Sequence, residues 1–306
     1  MNRRGAPAPL LTSIIMKNIL SMSQFGRKDI ESYFSLADRL SENNNFQKKP
    51  FTAGLFFFEE STRTELGFEA AAYKLGGKVL KLRQTKVQDR MSAAESIEDT
   101  IRVLQSYVDL MVIRHPDDNI FKRILPLASK PIINGGNGKD EHPTQTLTDL
   151  FTIKRLKGKI DGLKVAIVGD LKYMRTSHSL AVGLSEFKDV KITLVSPIRL
   201  NMPGKYLSDS RPITQTEKLD LKDQDIIYIT GFAPKTASGY FGESIRKKYQ
   251  INNKVLKNLK PDAKILCPLP RIDEITTEVD NTKFAKYFEQ SDLGLYIRMA
   301  VLKVLL

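Results

Sequence analysis

Apolar positions along the chain alternate between helical and strand-like spacing. Residues 29–40 carry Ile30, Tyr33, Phe34, Leu36 and Leu40 at helical spacing, which predicts an amphipathic helix. The apolar run 51–58 predicts a buried strand, and 66–75 a helix stopped by Gly76 and Gly77. A strand at 78–82, a helix at 96–107, a strand at 110–113, a helix at 121–128 and a strand at 131–134 continue the alternation. Gly135-Gly136-Asn137-Gly138 then reads as a flexible loop, and Pro143 opens a long helix to about residue 157 that bridges two halves. A second series follows: strands at 164–168 and 191–195 around a helix at 176–187, strands at 225–229 and 264–266, and an apolar helix at 291–306. This order predicts an α/β fold of two doubly wound, mostly parallel-sheet domains joined by interdomain helices. Ligands of such sheets sit beyond the carboxyl ends of the strands.

Length and charge narrow the function. A chain of 306 residues has room for two domains with real cores. No apolar run is long enough to span a bilayer, which argues against a membrane role. Residues 1–16 place Arg3 and Arg4 before Leu10 and Leu11, but Pro7 and Pro9 interrupt the stretch and no small-residue cleavage site follows. A short disordered extension is expected there rather than a signal peptide. The formal net charge is +13, yet the lysines are scattered, with small clusters at Lys48-Lys49 and Lys247-Lys248. No nucleic-acid-binding motif accompanies them, so a field that attracts small anions is the better reading. The single cysteine, Cys267, excludes an internal disulfide and suits a reducing cytoplasm; nothing beside it marks an activated nucleophile. Gly169-Asp170-Leu171-Lys172 follows a strand but lacks the glycine spacing of a dinucleotide site, so no nucleotide cofactor is expected.

The chemistry concentrates in one turn. Glu59-Glu60-Ser61-Thr62-Arg63-Thr64 follows an apolar strand and leads into a helix. A helix N-terminus has unpaired N–H donors and the positive end of a dipole, and hydroxyls and a guanidinium add donors for a phosphate dianion. The same residues also fit a plain capping box, with Ser61 or Thr62 as cap and Glu65 following.

The run Phe-x-Glu-x-Ser-Thr-Arg-Thr-x-x-x-Phe-Glu resembles the signature of the aspartate/ornithine carbamoyltransferase family, with wording closest to the aspartate branch. Val112-Ile113-Arg114-His115-Pro116, Glu141-His142-Pro143-Thr144-Gln145, Gly169-Asp170-Leu171-Lys172-Tyr173, Arg175-Thr176-x-His178-Ser179 and Pro268-Leu269-Pro270-Arg271 follow in the family's order. The resemblance implies transfer of a carbamoyl group from carbamoyl phosphate to an amine, with no metal or cofactor. By the same resemblance Ser61, Thr62, Arg63, Thr64 and Arg114 hold the phosphate. Thr64, Arg114 and His142 meet the carbonyl oxygen. Gln145 and the carbonyls of Pro268 and Leu269 take the carbamoyl amide, with a cis bond before Pro270. Arg175 and Leu269 face the acceptor. His115 and His178 are taken as structural. The domains implied are 1–143 with 292–306 for carbamoyl phosphate and 144–291 for the amine. A cytoplasmic homotrimer with sites shared through a loop around residues 85–92 is implied too, as is an early step of pyrimidine synthesis if aspartate is the acceptor.

Two departures bear on the acceptor. Ala93 stands where the aspartate branch carries a loop lysine, with Lys86 and Arg90 upstream at the wrong spacing. Thr230-Gly231-Phe232-Ala233 replaces Thr-Arg-x-Gln, so Gly231 and Ala233 lack an arginine and a glutamine that hold aspartate, and 234–242 could form a different pocket. The expectation is therefore a carbamoyltransferase using aspartate or another amine; the alternative is a catalytically silent homologue with a binding or assembly role.

Overall fold

A computed structural model of the chain describes residues 17–42, 49–83, 95–207, 212–232 and 243–306. Ala93, Lys86, Arg90, Ala233, the segment 234–242 and the N-terminal 16 residues lie outside these. The first half begins with α1 (Arg27–Glu42), whose inner face buries Ile30, Tyr33, Phe34, Leu36, Ala37 and Leu40. It continues through β1 (Thr52–Phe57), α2 (Thr62–Lys74), β2 (Lys78–Arg83), α3 (Ile97–Leu104), β3 (Leu110–His115), α4 (Ile120–Ile124) and β4 (Ile132–Asn137). The four strands pair in the order β2-β1-β3-β4, all parallel. Helix α5 (Pro143–Lys157) is buried along most of its length and leads to the second half.

There, β5 (Lys164–Val168), α6 (Arg175–Leu184), β6 (Lys191–Val195), β7 (Ile213–Thr216), β8 (Ile226–Ile229), α7 (Glu243–Lys248), α8 (Asn253–Leu256) and β9 (Lys264–Leu266) succeed one another. Their strands form a parallel sheet in the order β7-β6-β5-β8-β9. The last helix, α9 (Tyr287–Leu305), packs on α1, α2 and α5. Each sheet reverses direction of growth once, between β1 and β3 and between β5 and β8. In sheets of this kind such a reversal opens a crevice at the strand ends.

The expected α/β architecture is present, with local differences; the short helices α7 and α8 were not among the sequence expectations. The glycines at 135 and 136 belong to β4 rather than to a loop. A Cβ at Gly135 would lie 3.3 Å from the Ile113 carbonyl, so bare backbone is what lets this strand end press against β3. Strand β7 has no counterpart among the sequence expectations. It is a short edge strand with no fully buried residue, so it carries little hydrophobic signal.

Candidate active site

The end of β3 and the loops after β1, β4, β5 and β9 converge on one cavity of about 600 Å³. Ser61, Thr62, Arg63, Thr64, Arg114, His142, Gln145, Arg175, Pro268, Leu269 and Pro270 all line it, so the sequence-predicted site residues are brought together. Glu59, Glu60, Gly138, Lys139, Tyr173, Met174 and Thr176 complete the lining.

The turn before α2 does not form a capping box. Ser61 occupies the N-cap position in extended backbone, but its side chain makes no cap hydrogen bond. Glu65 turns away instead and accepts from Arg83 Nε at 2.8 Å. The first-turn N–H groups and the Ser61 hydroxyl therefore remain available at the positive end of the helix dipole. Arg63 makes no side-chain hydrogen bond or ion pair among the described residues, and burial lowers its pKa. An unpaired, partly desolvated guanidinium attracts an anion more strongly than an exposed one.

His142 is fixed from three sides. Its backbone N–H donates to Ser179 Oγ at 2.9 Å, and that hydroxyl donates to Glu141 Oε2 at 3.2 Å. Met22 N–H also donates to Glu141, at 2.8 Å, which ties the N-terminal segment to the loop. The ring lies 3.2 Å from Thr64 Oγ1 through Nε2 and 3.4 Å from Thr144 Oγ1 through Nδ1. Burial, then the charges of Arg114, Arg175 and Arg298, holds the imidazole pKa well below its usual value. A neutral ring can donate one N–H to a developing oxyanion without bringing a mobile proton.

Gln145 gains its orientation from below. Its Nε2 donates to Asp149 Oδ1 at 2.7 Å, one turn further along α5. The amide oxygen is thus the end left for a ligand N–H. The same Asp149 oxygen accepts from Gln290 Nε2 at 2.6 Å, and Gln290 Oε1 accepts from Cys267 N–H at 2.8 Å. One buried carboxyl therefore links Gln145 to the Cys267–Pro270 turn. Burial raises that carboxyl to about 7, against the hydrogen bonds from both glutamines. The Leu269–Pro270 bond is cis, as the family resemblance implies.

Sequence reasoning missed Glu59. Its Oε1 accepts from Arg114 at 2.9 Å and from Arg175 at 2.8 Å, and its Oε2 accepts from Arg175 at 3.1 Å. Burial works against its ionised form, but the two arginines outweigh it and hold the carboxyl below the ordinary range. Burial, then repulsion from Arg175, brings Arg114 down to about 10. Arg175 also donates to the Gly138 carbonyl at 2.7 Å. Both guanidiniums crowd Gly136, where φ is +112° and a Cβ would lie 3.0 Å from Arg114 and 3.1 Å from Arg175. Only glycine suits that position sterically and conformationally. The signal for Glu59 was its place in the signature, two residues before Ser61, but its partners come from β3 and α6.

His115 and His178 hold backbone, as expected. His115 Nδ1 accepts from Asp117 N–H at 3.0 Å, and the His178 ring sits between the Asp140 and Leu171 carbonyls and stacks on Tyr206. Among the described residues no cluster of His, Cys, Asp and Glu could hold a metal, and no helix is long and apolar enough to cross a membrane.

Comparison with known proteins agrees with this layout. The profile "Aspartate/ornithine carbamoyltransferase, carbamoyl-P binding domain" matches residues 17–155, and "Aspartate/ornithine carbamoyltransferase, Asp/Orn binding domain" matches 161–305. An aspartate carbamoyltransferase catalytic subunit of Methanosarcina barkeri is 42% identical over 298 residues, covering 94% of this chain and 96% of that one. The catalytic subunit of M. jannaschii aspartate transcarbamoylase superposes with a TM-score of 0.86 at 37% identity, covering 95% of this chain and 98% of the other. A Trypanosoma cruzi aspartate transcarbamoylase in complex with carbamoyl aspartate and phosphate reaches a TM-score of 0.86 at 34% identity, covering 95% and 96%. On these matches, which span nearly its whole length, the chain belongs to the aspartate/ornithine carbamoyltransferase family.

Proposed function

We propose that this cleft moves the carbamoyl group of carbamoyl phosphate onto the amino group of aspartate. The observation that carries the reading is the open N-terminus of α2, where Ser61 makes no cap bond and Arg63 has no partner among the described residues, facing Arg114, His142 and Gln145 across one cavity. In this reading Ser61, Thr62, Arg63 and the α2 N–H groups grip the phosphate. Thr64, Arg114 and neutral His142 donate to the carbonyl oxygen as it gains charge. Gln145 and the Pro268 and Leu269 carbonyls accept from the carbamoyl amide. The amine lone pair forms the new C–N bond and the C–O bond to phosphate breaks, so phosphate leaves with that electron pair. The amine sheds one proton, which the departing phosphate can take. Arg175 orients one acceptor carboxylate, which requires it to share or release Glu59. Holding the two reactants side by side supplies much of the rate, since the step is otherwise bimolecular.

The carbamoyl phosphate unit is proposed as residues 1–143 with 292–306, and the acceptor unit as 144–291. A cytoplasmic homotrimer with shared sites fits the family, and the product would be N-carbamoyl-aspartate, an early intermediate of pyrimidine synthesis. Phosphate release that requires both carbamoyl phosphate and aspartate tests the reading; binding of carbamoyl phosphate without release in the presence of any amine would favour the silent alternative.

A further inference from the structure

Among the described residues, the atoms nearest a side-chain position at Gly231 belong to Glu274 and Met174, and none is a cation. At Gly231 a Cβ would lie 2.8 Å from Glu274 Oε1, so a carboxylate already occupies the space beside this backbone. Glu274 is buried and held by N–H groups of Phe232 at 3.3 Å, Ile272 at 2.6 Å and Asp273 at 3.2 Å. An acceptor carboxylate placed there would meet like charge at short range. Arg175 can offer a fork to one acceptor carboxylate only, so a dicarboxylate needs a cation elsewhere on the lining.

Lys139 lines the same cavity and makes no ion pair among the described residues. It follows Gly138, whose carbonyl accepts from Arg175 of α6, so the loop that carries the ammonium is tied to that guanidinium. Two hydrogen bonds hold the loop to the β3 end and the turn after it: Lys139 N–H donates to Asp118 Oδ1 at 2.6 Å, and Gly138 N–H donates to the His115 carbonyl at 2.8 Å. The ammonium lies 4.7 Å from the centre of the Tyr173 ring, which also lines the cavity. Two nearby acids are engaged elsewhere. Asp140 is paired with Lys205 at 2.7 Å and accepts from Tyr206 at 2.6 Å, and Glu59 is held by two arginines.

We propose that Lys139 is the specificity residue that receives the second carboxylate of the acceptor, the first being held by Arg175. The acceptor is then a dicarboxylic amino acid bound along the β4–β5 side of the cleft, with its far carboxylate directed away from Gly231 and Glu274. This deepens the proposed function and rests on it.

The test compares the wild-type chain with Lys139→Ala and Lys139→Arg. The readouts are the KM for aspartate, kcat, the Kd for carbamoyl phosphate and inhibition by succinate, a dicarboxylate with no amine. Loss of one charge-assisted contact predicts a rise of about tenfold or more in aspartate KM and in the succinate inhibition constant for Lys139→Ala. Carbamoyl phosphate affinity should stay unchanged, kcat should change far less than KM, and Lys139→Arg should recover most of the loss. Aspartate KM and succinate inhibition within about twofold of wild type in Lys139→Ala would overturn the inference. So would a wild-type chain that binds carbamoyl phosphate but carbamoylates only monocarboxylate amines. Failure of the wild-type chain to bind carbamoyl phosphate at all would instead remove the functional reading beneath it.

Discussion

The two walls of the cleft treat their polar groups in opposite ways. On the α2 wall the groups proposed to bind the anion stand unengaged: Ser61 caps nothing and Arg63 has no partner among the described residues. On the β5–β9 wall the charges are already matched. Arg175 is bound to Glu59 and to the Gly138 carbonyl, and Glu274 is sealed by three backbone N–H groups beside Gly231. A phosphate dianion can enter the first wall with little internal rearrangement. An acceptor carboxylate must displace or share an existing ion pair at the second. Preorganisation thus favours carbamoyl phosphate as the first ligand, with the acceptor following once Glu59 has yielded ground.

The largest expected effect tests the open wall. Arg63→Ala should weaken carbamoyl phosphate binding by a hundredfold or more, because several charge-assisted bonds of about 1.5–3 kcal/mol each are lost together. Calorimetric titration checks this, and unchanged affinity would remove the anion cradle from the site.

His142→Ala probes the floor between the walls. The expected fall in kcat is about 10²–10³-fold, the usual loss for one oxyanion donor, with carbamoyl phosphate affinity less affected. The pH dependence has a definite sign. Burial keeps the His142 imidazole neutral to well below its ordinary pKa, so kcat/KM should not drop between pH 8 and 6 on its account. A rate that titrates near pH 6.5 in the wild type but not in a His142→Gln variant would contradict the neutral donor.

A smaller effect belongs to the support beneath both walls. Asp149 releases its proton at about 7 in the folded chain, against an ordinary value of 3.8. Between those values the folded state keeps a proton that the unfolded state has lost. Its contribution to stability is therefore fully present below about pH 4 and is lost as pH rises to about 7. Asp149→Asn can still accept from Gln145 and Gln290 but cannot titrate. Urea unfolding from pH 4 to 8 should show a shallower decline for the variant, and parallel curves would refute the buried titration.

The smallest effect concerns the closed wall. Gly231→Ala places a methyl against Glu274 Oε1, whose carboxylate is tethered but at the end of a flexible side chain. A loss of about 1 kcal/mol in unfolding free energy is expected, the scale of modest overpacking. A neutral or stabilising outcome would mean that Glu274 gives way freely and that the acceptor wall is more adaptable than its hydrogen bonds indicate.

Much of this molecule is legible in one dimension. The period of apolar residues marks most strands and helices, and β5, β6 and α5 fall at their expected residues. The reason is that burial of one face imposes a repeat on local sequence. Where burial is absent the signal fails, as at the exposed edge strand β7. Where backbone contact replaces side chains it misleads, as at Gly135 and Gly136, which look like a loop and continue β4. The polar turn before α2 is readable for a related reason: its hydroxyls, guanidinium and helix start are contiguous, so the candidate chemistry and its local geometry are encoded together.

Sequence alone therefore determined the alternation of strands and helices, the contiguous polar turn before α2 and the family resemblance. Tertiary structure decided which charges meet. Glu59 finds Arg175 across 116 residues, and Asp149 finds Gln290 across 141. Gly231 is backed by a carboxylate from a distant turn, and Lys139 shares a cavity with Arg175. Such encounters depend on how two sheets pack around α5 and α9. Coulombic and hydrogen-bond energies depend on ångström separations that residue order does not specify.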